Sequence, residues 1–204
     1  AVRLRGSSIV IATGSRPRRP DAIPFDDVTI CDSDSILNTK EHPATLTVMG
    51  GGVVGAEYAS MLAVFGIQVT LIDRRTHLLR FVDQEIMRVL DSHMQRNGVT
   101  MRLGEEIAEV ALDQRGRVVT RLQSQEPVTT DMLLYTMGRS GNTASLNLEA
   151  IGLKADQGQL TVNEHYQTAI PHIYAVGDVI GFPALAATSM EQGRLAACHA
   201  CQVA

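Results

Sequence analysis

The run Gly50-Gly51-Gly52-Val53-Val54-Gly55 lies between an apolar stretch ending at Met49 and a segment, Val53 to Phe65, with apolar residues at helical spacing. Glycines in a Gly-x-Gly-x-x-Gly spacing at such a junction leave few geometries, because a strand must turn at once into a helix lying close against it. Thr45 to Met49 reads as the buried strand. Gly50 makes the tight turn, Gly52 leaves bare backbone where another group can approach, and Gly55 lets the helix pack on the strand.

The spacing is a weak signal in a chain with 17 glycines, and its surroundings decide the reading. Gly66 stops the helix, a second strand runs from Ile67 to Ile72, and Asp73 follows about 20 residues after the glycines, where an acid can accept hydrogen bonds from an adenine ribose. The helix start offers unpaired N–H groups and the positive end of its dipole, both of which favour phosphate. The pattern predicts a Rossmann-like unit binding NAD or NADP. Arg74 and Arg75 follow directly and Arg80 comes a turn later. Guanidinium forks suit the 2′-phosphate of NADP, and a merely solvated face reads equally well at each arginine, so the corner predicts mixed NAD and NADP use.

Composition bounds the alternatives. At 204 residues, 45% apolar and 20% charged, the chain can form one large domain or one domain with part of another. A net charge of −4 gives no basic field for nucleic acid. No apolar run approaches the roughly 20 residues that span a bilayer, and Ala1-Val2-Arg3-Leu4-Arg5-Gly6 lacks the apolar core of a signal peptide. These features predict a cytoplasmic protein without membrane contact. Cys31, Cys198 and Cys201 are too few for a disulfide framework, and Cys198-His199-Ala200-Cys201 reads as the late turns of a helix from Ser189 to Gln202, with no metal site implied.

The remaining elements alternate as in a sheet covered by helices. Ser8 to Ala12 reads as a strand, Arg16-Pro17-Arg18-Arg19-Pro20 as a stiff connector with solvated arginines, and Asp32 to Ser35 as caps for a short helix near Ile36. Asp83 to Asn97 is a helix with Ile86, Met87, Leu90 and Met94 inward, followed by a strand from Val99 to Leu103. Ile107 to Leu112 and Arg117 to Leu122 form a hairpin, and Met132 to Thr136 is a buried strand. Beyond Gly141 the texture changes, with a turn at Gly158, a strand at Gln159 to Val162, and the run His172 to Asp178.

Ala12-Thr13-Gly14, the Gly50 to Gly55 loop followed by Glu57, Gly138-Arg139, and Ile173-Tyr174-Ala175-Val176-Gly177-Asp178 occur in that order, and the ordered set resembles the pyridine nucleotide-disulfide oxidoreductase family. The resemblance covers essentially the whole chain. It implies an α/β fold in which a Rossmann-like NAD(P)-binding domain, a parallel sheet with a β-meander crossover, is inserted in part of an FAD-binding domain. The implied boundaries are 1–30 for the end of the first FAD segment and linker, 31–140 for the NAD(P) domain, and 141–204 for the returning FAD segment. The resemblance implies NAD(P) contacts at Gly50, Gly51, Gly52, Val53, Val54, Gly55, Glu57, Asp73, Arg74, Arg75 and Gly138. It implies FAD contacts at Thr13, Gly14, Asp178 and Ala186, with Asp178 accepting from the ribityl chain and the helix near Ser189 aimed at the flavin. Glu57 would lie near the nicotinamide and pair with a lysine outside this chain, or simply complement its helix dipole.

Gly138 to Thr143, Asp178 to Pro183 and Ser189 to Arg194 resemble family members that pass hydride from NADPH through FAD to NAD⁺. A disulfide-type reductase, such as a lipoamide dehydrogenase or mercuric reductase, and a free-standing nucleotide-binding module stay open. A second glycine-rich loop, a redox cysteine pair and a C-terminal dimerisation domain do not occur in these residues. The expectation is a fragment of a homo-oligomeric flavoprotein that alone holds FAD poorly.

Overall fold

In the computed structural model, residues 3–123 and 126–203 are described; Ala1 and Val2 of the leading stretch, Ser124, Gln125 and Ala204 lie outside them. The chain forms β1 (Ile9–Ile11), β2 (Ser15–Pro17), β3 (Ile30–Asp32), β4 (Thr45–Met49), α1 (Val53–Val64), β5 (Gln68–Asp73), α2 (Gln84–Arg96) and β6 (Thr100–Leu103). A meander follows, β7 (Ile107–Leu112), β8 (Val118–Leu122) and β9 (Val128–Thr130), then β10 (Met132–Tyr135) and β11 (Arg139–Gly141). The last elements are β12 (Ala155–Asp156), β13 (Gln159–Leu160), β14 (Ile173–Ala175) and α3 (Ala186–Cys201).

Two compact units result, Pro17–Gly138 and the residues up to Arg16 together with those from Arg139 onward. The cuts differ from the expected 30/31 and 140/141. Pro17 to Ile30 packs with the central unit because Ile23, Phe25 and Ile30 pack with Met49, Leu133 and Tyr135.

The central unit is a five-stranded parallel sheet in the order β3-β10-β4-β5-β6. Strand alternation sends Leu46, Val48, Met132 and Leu134 into a core with α1 and α2, and Met49, Leu133 and Tyr135 into a second core with Val110 and Val118 of the meander. Helices thus cover one face and the antiparallel β7-β8-β9 sheet the other. With both faces covered, the central strands read as continuous apolar runs.

α1 buries Gly55, Ala56, Ala59 and Ala63, while Met61, Val64 and Phe65 are exposed. Its buried positions are all small, because the helix lies this close to the sheet there, while Tyr58 and Leu62 pack half-buried against the edge of the same core. In α2, Asp83 caps the helix by accepting from the N–H groups of Glu85 and Ile86. Met87 and Met94 are buried, but Ile86, expected inward, is 62% exposed.

Several local expectations are corrected. Arg19, expected in solvent, forms ion pairs with Asp27 and Asp32 and lies over the Phe25 ring. The acids raise its pKa, Asp27 before Asp32. β2 replaces part of the stiff connector, the helix near Ile36 is a 3₁₀ turn, Ser35–Asn38, and α3 begins at Ala186 before Ser189. Strands β3 and β9 had no legible signal.

In the other unit β1 pairs in parallel with β14 and β12 antiparallel with β13, while β2 lies beside β11 in a two-stranded sheet of its own. Leu148, Leu153, Leu160, Ile173, Ala175 and Val179 form its main core.

Candidate nucleotide site and a second polar cluster

Gly50 takes φ +114°, a backbone region L side chains rarely occupy, and its N–H donates to the Ile72 carbonyl at 2.9 Å. From the other side Thr136 Oγ1 lies 3.0 Å from the Met49 carbonyl oxygen and 2.9 Å from that of Gly50. The loop is therefore held by both strands flanking β4. A Cβ on Gly55 would stand 1.8 Å from the Gly50 carbonyl oxygen, so the close packing read from the spacing is present. Gly52 differs. Its φ −77° and ψ −174° suit any residue, yet nothing lies within 4 Å of where its Cβ would stand. The N-cap of α1, Gly52, has no side chain with which to cap the first turn. Backbone N–H groups beside an uncrowded glycine make the cradle a pyrophosphate needs, and these residues fit one.

Asp73 ends β5 beside this loop with its side chain 3% exposed. Its Oδ2 accepts from Gly51 N–H at 2.5 Å and from Arg75 Nη2 at 2.6 Å. Its Oδ1 accepts from Arg75 N–H at 2.7 Å and Nε at 2.9 Å. Burial pushes this carboxyl up, but the Arg75 side chain and the two amides outweigh burial and hold it below the ordinary aspartate range. Arg74, Arg80 and Glu57 are exposed, as is Val53, while Val54 is half-buried. Gly138 has φ +101° and accepts from Arg18 N–H at 3.1 Å.

The second cluster lies in the other unit. The Gly14 carbonyl accepts from Asn142 N–H at 2.9 Å, and the Thr13 carbonyl from Asn142 Nδ2 at 3.0 Å. Ser15 Oγ donates to Asp178 Oδ2 at 2.8 Å and accepts from Arg139 Nε at 2.7 Å, while Arg139 Nη2 reaches the Ser15 carbonyl at 3.0 Å. Gly177 N–H donates to Gln192 Oε1 of α3 at 2.7 Å. Thr13, Gly14 and Asp178 thus come together, and Ala186 opens α3 on an exposed turn. Ser15, Thr136, Arg139, Asn142 and Gln192 complete the two clusters; Arg139, Asn142 and Gln192 fall inside the stretches Gly138 to Thr143 and Ser189 to Arg194 singled out above but without a role of their own, and Ser15 and Thr136 carried no spacing signal. Each acts across the fold.

Cys31, Cys198 and Cys201 are free thiols, and no group of three or more His, Cys, Asp or Glu suited to a metal gathers among the described residues. No described helix is long and apolar enough to cross a membrane.

The chain is 47% identical over 196 residues to the soluble pyridine nucleotide transhydrogenase of Mycobacterium bovis, covering 96% of this chain and 42% of that protein. It is 48% identical to the protein of that name from Colwellia psychrerythraea, with the same coverage. It thus spans well under half the length of these relatives. Among solved structures it resembles LpdA from Mycobacterium tuberculosis, TM-score 0.89 at 30% identity, over 97% of this chain and 43% of that one. It also resembles the HOCl-induced flavoprotein disulfide reductase RclA from Escherichia coli, TM-score 0.86 at 29% identity, over 96% and 45%. The sequence profile of the Pyridine nucleotide-disulphide oxidoreductase family matches residues 2–193, and the chain belongs to that family.

Proposed function

We propose that Pro17–Gly138 is the nucleotide-binding part of a flavoprotein that transfers hydride between NADPH and NAD⁺, the soluble pyridine nucleotide transhydrogenase reaction. The observation that carries the reading is the loop at Gly50 to Gly55, fastened by Ile72 and Thr136 and left open at Gly52. In this reading Gly51, Gly52, Val53 and Val54 line the pyrophosphate and Gly55 keeps the helix start in place. Asp73, Arg74 and Arg75 form the adenosine corner, and Glu57 and Gly138 lie toward the nicotinamide. Thr13, Gly14, Asp178 and Ala186 face FAD, and the Arg139-Ser15-Asp178 chain fixes the carboxylate that meets the ribityl hydroxyls.

FAD, when bound, supplies the carrier that takes hydride from one nicotinamide and gives it to another. The polypeptide's part is to bind, orient and exclude water. The whole protein, in this reading, works in the cytoplasm as a homo-oligomer on NAD and NADP. Identity of 47–48% to transhydrogenases favours this activity over the disulfide reduction named for RclA.

Gly52→Val tests the site. Its backbone angles accept valine and its Cβ meets nothing, so circular dichroism and thermal unfolding should match the parent. Calorimetric titration of the full-length protein with NADP⁺ and NAD⁺ should show binding abolished. Unchanged affinity would sink the loop's role. Hydride transfer from NADPH to NAD⁺ by the full-length protein, without a disulfide substrate, tests the activity itself.

A further inference from the structure

We propose that Asp73 is a positioning residue that fixes Arg75 for a 2′-phosphate, and not the acceptor of the adenine ribose hydroxyls. The inference rests on the nucleotide-site reading above and names the group that selects between the two nucleotides.

An ionised carboxylate offers about four acceptor positions. On Asp73 four donors fill them, the amides of Gly51 and Arg75 and two N–H groups of the Arg75 fork. With the side chain 3% exposed, a ribose diol has neither an open lone pair nor a path to one unless it displaces a charged donor. Such displacement leaves a guanidinium unpaired beside a buried acid, a costly exchange for two neutral hydroxyls.

Arg75 has the complementary arrangement. Of the five N–H donors of a guanidinium, Nε and one on Nη2 are held by Asp73, and the side chain is 36% exposed. The other three can meet an incoming phosphate from a fork whose rotamer is already fixed, so little side-chain entropy is lost on binding. The same carboxylate holds Gly51, so the anion-binding arginine and the glycine loop are fastened to one buried point. Arg74 and Arg80 lack such an anchor among the described hydrogen bonds and ion pairs.

Isothermal titration calorimetry on the full-length protein with oxidised flavin tests this, using NADP⁺ and NAD⁺, and adenosine 2′,5′-bisphosphate and AMP as probes lacking nicotinamide. Arg75→Ala should weaken NADP⁺ and the bisphosphate by about tenfold or more, the loss of a charge-assisted contact, and leave NAD⁺ and AMP within about twofold. Asp73→Asn should reproduce that pattern, because an asparagine with its oxygen in the Oδ2 place still accepts from Gly51 and Nη2 but lacks the charge and the Oδ1 contact that complete the two-oxygen grip on the fork. Selective loss of NAD⁺ and AMP in Asp73→Asn overturns the proposal. Unchanged NADP⁺ affinity, or equal loss of both nucleotides, in Arg75→Ala also overturns it. Arg75 is partly exposed, so this variant decides the matter even if Asp73→Asn does not fold. Failure of the folded parent to bind any of the four ligands overturns the nucleotide-site reading and this proposal with it.

Discussion

In the central unit a Cβ on Gly55 would stand 1.8 Å from the Gly50 carbonyl oxygen; in the other unit a Cβ on Gly141 would stand 2.1 Å from that of Gly158, and one on Gly158 2.3 Å from that of Gly141. Both pairs let backbone meet backbone where no side chain fits. The first pair closes within one loop, and its spacing announces it. The second joins the end of β11 to the turn before β13, where Thr143 Oγ1 also donates to the Gly158 carbonyl at 3.0 Å. The two contacts are alike physically, but a loop encodes its contact in consecutive residues, whereas a contact between segments leaves no spacing to read.

The comparison can be broken most directly at the glycines. Gly55→Ala and Gly141→Ala should each destabilise their unit by about 3 kcal/mol or more, since the atom met is backbone and cannot swing aside. Denaturant unfolding measures the loss, and parent-like stability in Gly141→Ala would end the equivalence. Gly52→Val, by contrast, should lose binding and keep the fold, which separates a glycine kept for packing from one kept for a ligand. At the second cluster, Ser15→Ala removes the hydroxyl between Arg139 and Asp178. It should weaken FAD retention by roughly 1.5 kcal/mol, the scale of a hydrogen bond to a charged group, read from flavin absorbance after gel filtration of the full-length protein. Full retention would show that Asp178 holds its place unaided. The smallest effect belongs to a purely local device. Asp83→Ala removes the α2 cap and should cost about 1 kcal/mol with nucleotide binding unchanged.

The corner around Asp73 shows how far local reading goes. The glycine loop, α1, β5 and Asp73 were all legible, because strand alternation, helical spacing and glycine's backbone freedom act over a few residues. What Asp73 does was not legible. A fingerprint position says that an acid stands there, but its four donors come from Gly51 on one loop and Arg75 on another. α1 makes the same point through packing: periodicity identified a helix, while the closeness of the sheet selected Gly55, Ala56, Ala59 and Ala63 as its buried face and left Phe65 in solvent. Arg19 read as a solvated arginine until the fold brought Asp27 and Asp32 to it.

The sequence by itself determined the parallel α/β architecture, the place of the glycine loop and the family, through ordered motifs each contained in a short segment. Tertiary structure alone decided which oxygens of Asp73 are occupied, that Ser15 and Arg139 stand behind Asp178, and that β3 with Pro17 to Ile30 joins the central unit. Hydrogen bonds and packing between distant segments depend on where the chain returns, and no residue spacing records that.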